Sequence, residues 1–408
     1  MFALQRLFND PSRFPFLSSF ATFEAQTAAD DRQVCIRRIT AVQVNGETWI
    51  RVDTDSGLTG YGPCGESGPV ARDILASLET GRHAALSLIG QDALAIQVHF
   101  QNLFYRVAQR GRHVRVFSGI DIALWDLAGQ ITGLPVSKLL GGNFRSEIPL
   151  YSHCGSKDVF SKQAWADSAA DLVGDPRGFR AFKVDIHHPL GITMQHATPS
   201  IGVQEARKIN LAYRLAREAF GPDIDIIVHC HNELDLPSAV KVAEAVEEIE
   251  PLYFEDPLSP IYSDSWLALR RATNLPIMTG ENIELVEAAL PFLQHCAVDC
   301  LQPDLINSGG ISGVKMIADL AALYRIPIAL HNVRGLALNL ASQQLAAAIF
   351  NCPMIEARRT ADQAPEAASN APIIKGGMMQ VHNRPGLGFD LDHDYMRAHR
   401  DPGEPDWD

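Results

Sequence analysis

The spacing of apolar and polar positions divides the chain into two stretches of different character. IRRITAVQV, a turn at Asn45-Gly46 and ETWIRVDTD read as extended runs around a tight turn, which predicts an antiparallel hairpin. Ser56-Gly57 then leads into a third extended segment, LTGYGPCG. From about Pro69 to Gly133 the apolar residues recur every three to four positions, in RDILASLETG, QDALAIQVHFQNLFYRV and SGIDIALWDLAGQITG. Helices are expected there, so the first part reads as α+β. Only Gln43 to Thr48 separates its first two strands.

After GLPVSKLLGG the pattern changes. Short apolar runs fall at 148–153 (IPLYSH), 180–185 (RAFKVD), 223–229 (DIDIIVH), 251–256 (PLYFED), 275–280 (LPIMTG), 297–302 (AVDCLQ), 326–331 (IPIALH) and 353–357 (PMIEA). Amphipathic stretches separate them, from SKQAWADSAADLV to LALNLASQQLAAAIF. Eight strands with seven helical crossovers predict an α/β chain built as a (β/α)8 barrel. A doubly wound open sheet is the alternative, but it needs fewer strands and a Gly-rich first βα turn. GLTGYGPCGESG follows hairpins instead, which argues against a dinucleotide fingerprint. The expected organisation is an extension over 1–35, an α+β domain over 36–145, the barrel over 146–360, and a segment over 361–408 that returns to the first domain. The extension carries Phe8, Phe14, Phe16, Phe20 and Phe23. It either packs on the body or a partner subunit, or is a variable appendage. RDPGEPDWD at the far end is expected to fray.

The 408 residues exceed a usual single core, as a barrel plus a smaller domain does. A net charge of -13 argues against nucleic-acid and anionic-membrane partners. It leaves room for a local basic pocket around an anionic small molecule. The seven cysteines are scattered, odd in number and lack a CxxC pair, which fits a reducing compartment. No apolar run reaches the roughly 18–20 residues of a membrane span. The first residues lack a signal-peptide layout, so a cytoplasmic location is expected.

Chemistry in such barrels collects at the carboxyl ends of the strands. Strand two ends in Lys183-Val184-Asp185, and the alternation sends Lys183 and Asp185 to the same side. His229, Glu255 and Glu281 end strands three, four and five, spaced by 26 and 26 residues. Facing carboxylates repel unless a cation or proton intervenes. An oxygen-rich set suits Mg²⁺, and the histidine admits Mn²⁺, Fe²⁺ or Zn²⁺. Taken singly, each Glu could instead cap a helix or pair with an Arg. Asp304 and His331 end strands six and seven, where an Asp can orient a His. Lys183 on one side and His331 on the other offer two acid/base groups around a metal-bound substrate. That suits proton removal beside a carboxylate. Alternatively Lys183 is a salt-bridge lysine and His331 a packing histidine. His153, His187 and His188 are either polyol contacts or solvated loop residues.

SGIDIALWDLAGQITGLPVSKLLGG, YFEDP, TGEN, QPDLINSGGISG and RPGLGFDLD resemble the enolase superfamily, in its mandelate racemase-like group of sugar-acid dehydratases and racemases. The resemblance spans about residues 36 to 392 and implies a capping domain over a modified TIM barrel. It implies Glu255 and Glu281 as metal ligands, Asp304 and His331 as a catalytic dyad, and Glu356 as a carboxylate near the substrate's own. Lys183 falls at a base position, and His231 at a position that contacts substrate or carries a proton in several dehydratases. It also implies a homo-oligomer, dimer or octamer. The chain departs from the pattern twice. His229 stands where relatives place a first metal-ligand Asp. Asp225 lies too deep to replace it, whereas Glu233 could reach in. Lys183-x-Asp185 replaces Lys-x-Lys, so Asp185 is expected to hold Lys183 protonated, with Asp185 also a candidate substrate contact. The implied function is a metal-dependent aldonate or aldarate dehydratase acting through α-proton abstraction and a metal-stabilised enediolate. A racemase or epimerase, or a weakly active ligand-binding homologue, are the alternatives.

Overall fold

A computed structural model describes residues 33–80, 84, 86–107, 111–192, 200–359, 361, 368, 371–388 and 390–408. The extension expected over 1–35 lies outside these residues except for its last three. Phe389 of the closing motif also lies outside them.

Three antiparallel strands, β1 (Ile36–Val44), β2 (Glu47–Thr54) and β3 (Thr59–Cys64), form the first sheet. Asn45 and Gly46 both take positive φ, 50° and 76°, as a two-residue hairpin turn matched to strand twist requires. Helix α1 (Gly68–Glu79) and the long α2 (Arg112–Thr132) pack against the sheet. The approach is close because Gly60 and Gly62 sit on α2 backbone: a Cβ at Gly62 would lie 2.1 Å from the Gly119 carbonyl oxygen. Gly133, left-handed at φ 71°, ends α2.

The second unit is a ring of parallel strands with helices outside. Strands β4 (Glu147–His153), β5 (Ala181–Asp185), β6 (Asp225–His229), β7 (Tyr253–Glu255), β8 (Ile277–Thr279) and β9 (Cys300–Leu301) pair in order. β10 (Ile355–Glu356) pairs parallel with β4 and closes the ring. Between β9 and β10 the expected seventh strand is reduced to two parallel bridges, Leu301–Ile328 and Leu330–Ile355. Pro327 has no N–H to give the ladder there. The crossovers are α3 (Lys162–Val173), α4 (Val203–Phe220), α5 (Leu236–Val246), α6 (Asp264–Ala272), α7 (Leu285–Gln294), α8 (Gly310–Leu323) and α9 (Leu336–Ala348). Ser161 and Asp235 cap α3 and α5 through backbone N–H groups at the third position. The architecture is thus a modified TIM barrel with an α+β capping domain. Among the described residues no helix is long and apolar enough to cross a membrane.

The C-terminal segment first extends the barrel sheet. Hairpin β11 (Ile374–Lys375) and β12 (Met378–Gln380) pairs antiparallel with β4. It then runs to the first sheet, where Val44 bridges Arg400. The frayed tail expected from RDPGEPDWD is corrected here. Trp407 is fully buried, stacked on Tyr61 at 5.6 Å and set edge-on to Trp49. Glu404 pairs with Arg72. A short polar sequence hides one large aromatic, and that residue fixes the end. Trp407→Ala is expected to cost about 3–5 kcal/mol, read as a lowered unfolding midpoint in denaturant; a change under about 1 kcal/mol would contradict the packing described.

Candidate active site

Parallel register brings the strand ends level. His153 pairs with Lys183, Asp185 with His229, and His229 with Glu255. Residues two apart on a strand share a face, so Lys183 and Asp185 both enter the ring at successive depths. Below them Tyr151, Ala181, Ile227, Met278, Cys300 and Ala329 form an apolar plug. The polar layer above it is largely shut off from water, so each charge there needs a partner.

Lys183 is buried, its Nζ 3.1 Å from Glu255 Oε1 and 2.8 Å from Glu356 Oε1. Burial alone would lower its pKa, but Glu255, Glu356 and Glu281 outweigh that and raise it. Lys183 is therefore a protonated donor. The reading that Asp185 holds it so is corrected: the long stem carries Nζ to Glu255 and Glu356, two strands away on either side. Asp185 Oδ1 instead faces His153 Nε2 at 3.3 Å, His231 Nε2 at 3.8 Å and His229 Nδ1 at 3.9 Å. Burial favours its neutral form, yet these imidazoles hold the carboxyl well below the usual range.

His331 Nδ1 lies 2.7 Å from Asp304 Oδ2, and Asp304 Oδ1 accepts the Ile306 N–H at 2.7 Å. The free Nε2 is 3.3 Å from Glu281 Oε2 and 3.7 Å from Glu356 Oε2. Burial pushes the imidazolium down, but Glu356, Glu281 and Asp304 together raise His331 to about 9. The sign is testable. A raised folded-state value stabilises the fold fully below the unfolded value of 6.5, and the contribution is lost as pH climbs through about 9. A cation at Glu281 neutralises part of the field that holds the proton. NMR titration is expected to place His331 near 9 in chelator-treated protein and lower once Mg²⁺ is added; an unchanged value would contradict the placement of the cation.

His229, Glu255, Asp256 and Glu281 each offer a ligand atom within 4.8 Å of the others. His229 Nδ1 is 3.1 Å from Glu255 Oε1, and its Nε2 is 3.8 Å from Glu281 Oε2. Both ring nitrogens of His229 and Oε2 of Glu255 are buried with no hydrogen-bond partner. Such orphaned atoms are rare in a folded interior. Burial, with Lys183 and His231 nearby, pushes His229 well down, which leaves a neutral imidazole with a lone pair to give. Burial raises Glu281, His331 and Lys183 oppose this, and Glu255 and Glu356 add to it. Clustered carboxylates and orphaned donors fit a divalent cation.

His231 and Asn232 turn the chain after β6 with φ of 55° and 61°. The His231 ring stacks on His229 at 3.8 Å and on His187 at 4.6 Å. Burial brings His231 down to about 4 despite Asp185. The alternative reading of His187 as a solvated loop residue is corrected. It is buried, and its Nε2 meets Glu233 Oε2 at 2.8 Å, so it braces His231. The same pair takes Glu233 away from the metal donors. His153 remains partly open, its side chain 40% exposed.

Sequence reasoning passed over Tyr151, Gln302 and Asp256 as site residues. Tyr151 Oη is 3.4 Å from Glu356 Oε2 and receives the Gln302 amide. Its signal was position, two residues before His153 on an inward face. Asp256 adjoins Glu255 but points to Thr279 and the Gly280 N–H. The capping domain reaches this end of the barrel. Arg115 links Glu66 to Asn307, and Asn307 donates to the Glu281 carbonyl.

Residues 164–395 match the family described as Enolase C-terminal domain-like. Residues 22–141 match the Mandelate racemase / muconate lactonizing enzyme, N-terminal domain. A D-xylonate dehydratase of Haloferax volcanii is 30% identical, over 91% of this chain and 90% of its own. A D-galactonate dehydratase of Ralstonia nicotianae is 28% identical, over 88% and 92%. The crystal structure of a mandelate racemase/muconate lactonizing enzyme-like protein from Rubrobacter xylanophilus superposes with a TM-score of 0.81 at 28% identity, over 92% of this chain and 99% of that one.

Proposed function

The chain belongs to the mandelate racemase / muconate lactonizing enzyme group of the enolase superfamily, and on that footing we propose that it is a divalent-metal-dependent dehydratase of sugar acids. The relatives named D-xylonate and D-galactonate dehydratase support the reaction class. The observation that carries the reading is the His331–Asp304 dyad facing orphaned donors on β6 and β7. His229, Glu255 and Glu281 are the residues that would hold the cation. Bound there, it supplies positive charge to a substrate carboxylate whose α-carbon is losing a proton.

The chain's own groups do the rest. Asp304 fixes the His331 tautomer so that Nε2 is the acceptor. His331 takes the α-proton, and Glu281 and Glu356 help it hold the charge. His231 follows strand three, diametrically across an eightfold ring from strand seven. Burial holds His231 down to about 4, so it is neutral and has no proton to give. We assign the proton that leaves with the 3-hydroxyl to His331, which returns the one it took from the α-carbon, and to His231 the role of a substrate contact. Loss of water then gives a 2-keto-3-deoxy acid. Lys183 donates hydrogen bonds from between Glu255 and Glu356, which weighs against the racemase reading, because that reaction needs a second base. A panel of five- and six-carbon aldonates and aldarates with Mg²⁺ or Mn²⁺ tests the proposal. Keto acid from at least one substrate, abolished by chelator, is expected; none from any would overturn it.

A further inference from the structure

One cluster in the barrel mouth is used by this scheme only through His229. Asp185 Oδ1 is buried and lacks a hydrogen-bond partner. His153 Nε2 approaches it at 3.3 Å and His229 Nδ1 at 3.9 Å, neither aligned to donate. The three residues end consecutive strands β4, β5 and β6. Each offers one ligand atom within 4.8 Å of the others. A tetrahedral ion with bonds of about 2.0–2.1 Å sets its ligands about 3.3–3.5 Å apart. One separation already has that value, a second needs a shift of a few tenths of an ångström, and the third, between the two imidazoles, lies within 4.8 Å. Both nitrogens of His229 are orphaned, so the imidazole can give Nδ1 to the side facing Asp185, leaving Glu255 and Glu281 to hold the neighbouring cation when both ions are bound.

The geometry points to His153, Asp185 and His229 as a second cation site, nitrogen-rich and suited to a transition metal of the Zn²⁺ type, beside the carboxylate set of Glu255 and Glu281. Two imidazoles and one carboxylate favour Zn²⁺, Co²⁺ or Ni²⁺ over Mg²⁺. The partly exposed His153 gives the ion its way in from the mouth. The inference stands apart from the dehydratase reading, because it concerns metal binding alone.

The test uses the full chain stripped of metal, titrated with Zn²⁺ and separately with Co²⁺, with bound metal counted after dialysis. Wild type is expected to bind two equivalents. His153→Ala is expected to lose one or to bind it at least tenfold more weakly, together with the intense visible bands of tetrahedral Co²⁺. Glu281→Gln is expected to keep those bands and lose the other equivalent. Asp185→Asn repeats the first result if it folds; His153→Ala, at a partly exposed position, carries the test if it does not. A single equivalent lost in His153→Ala and kept in Glu281→Gln supports this site and sinks the carboxylate one. No bound Zn²⁺, or His153→Ala binding as wild type does, overturns the inference.

Discussion

His331→Asn is expected to lower kcat/KM for the preferred sugar acid by about 10²–10⁴-fold, the usual worth of a positioned acid–base group. Asn keeps much of the shape and can still hydrogen-bond Asp304, so the fold survives while the proton acceptor is gone. The loss should fall mainly on kcat, because Nε2 acts on the reacting atom rather than on the whole substrate. Asp304→Asn should act through the same ring. Without the carboxylate, one of the three raising influences on His331 disappears, and the tautomer is no longer fixed. Its pH–rate profile should therefore shift toward lower pH, which a merely structural role does not explain. Steady-state assays of keto-acid release, with circular dichroism as the folding control, check both. A His331→Asn enzyme within about tenfold of wild type would remove His331 from the chemistry.

The second large effect concerns the cation. Glu281→Gln removes one charge at nearly constant volume, and metal affinity is expected to fall by more than about 100-fold, beyond what losing a supporting residue costs. Activity at fixed Mg²⁺ should fall with it and recover in part at high metal. His229→Asp runs the other way. It puts a carboxylate where the family resemblance implies one and adds a hard oxygen to an oxygen-rich set, so Mg²⁺ should bind more tightly relative to Zn²⁺. Isothermal titration with each metal reads both variants. Unchanged Mg²⁺ affinity in Glu281→Gln would place the cation elsewhere.

Much of this was legible in the sequence because the barrel repeats. Once the strand ends are aligned, alternation alone puts Lys183, Asp185, His229 and Glu255 into one ring, and the paired registers place them there; Glu281 follows two residues after the end of β8. What stayed hidden depended on reach and on partners distant in sequence. Lys183 passes its neighbour Asp185 because four methylenes carry Nζ to β7 and β10. His187 resembles an open loop histidine until Glu233, 46 positions on, takes its nitrogen. Pro327 shortens a strand whose apolar pattern looked complete. Trp407 anchors a tail whose composition promised only solvent. In each case the pattern gives the position, and the partner decides the role.

The most direct test of the central claim is proton NMR of a Mg²⁺-loaded reaction in D₂O with each aldonate of the panel. The account predicts that the substrate α-proton signal disappears as a 2-keto-3-deoxy acid accumulates, and that His331→Asn stops both. Deuterium entering the α-position with no keto acid formed would contradict it.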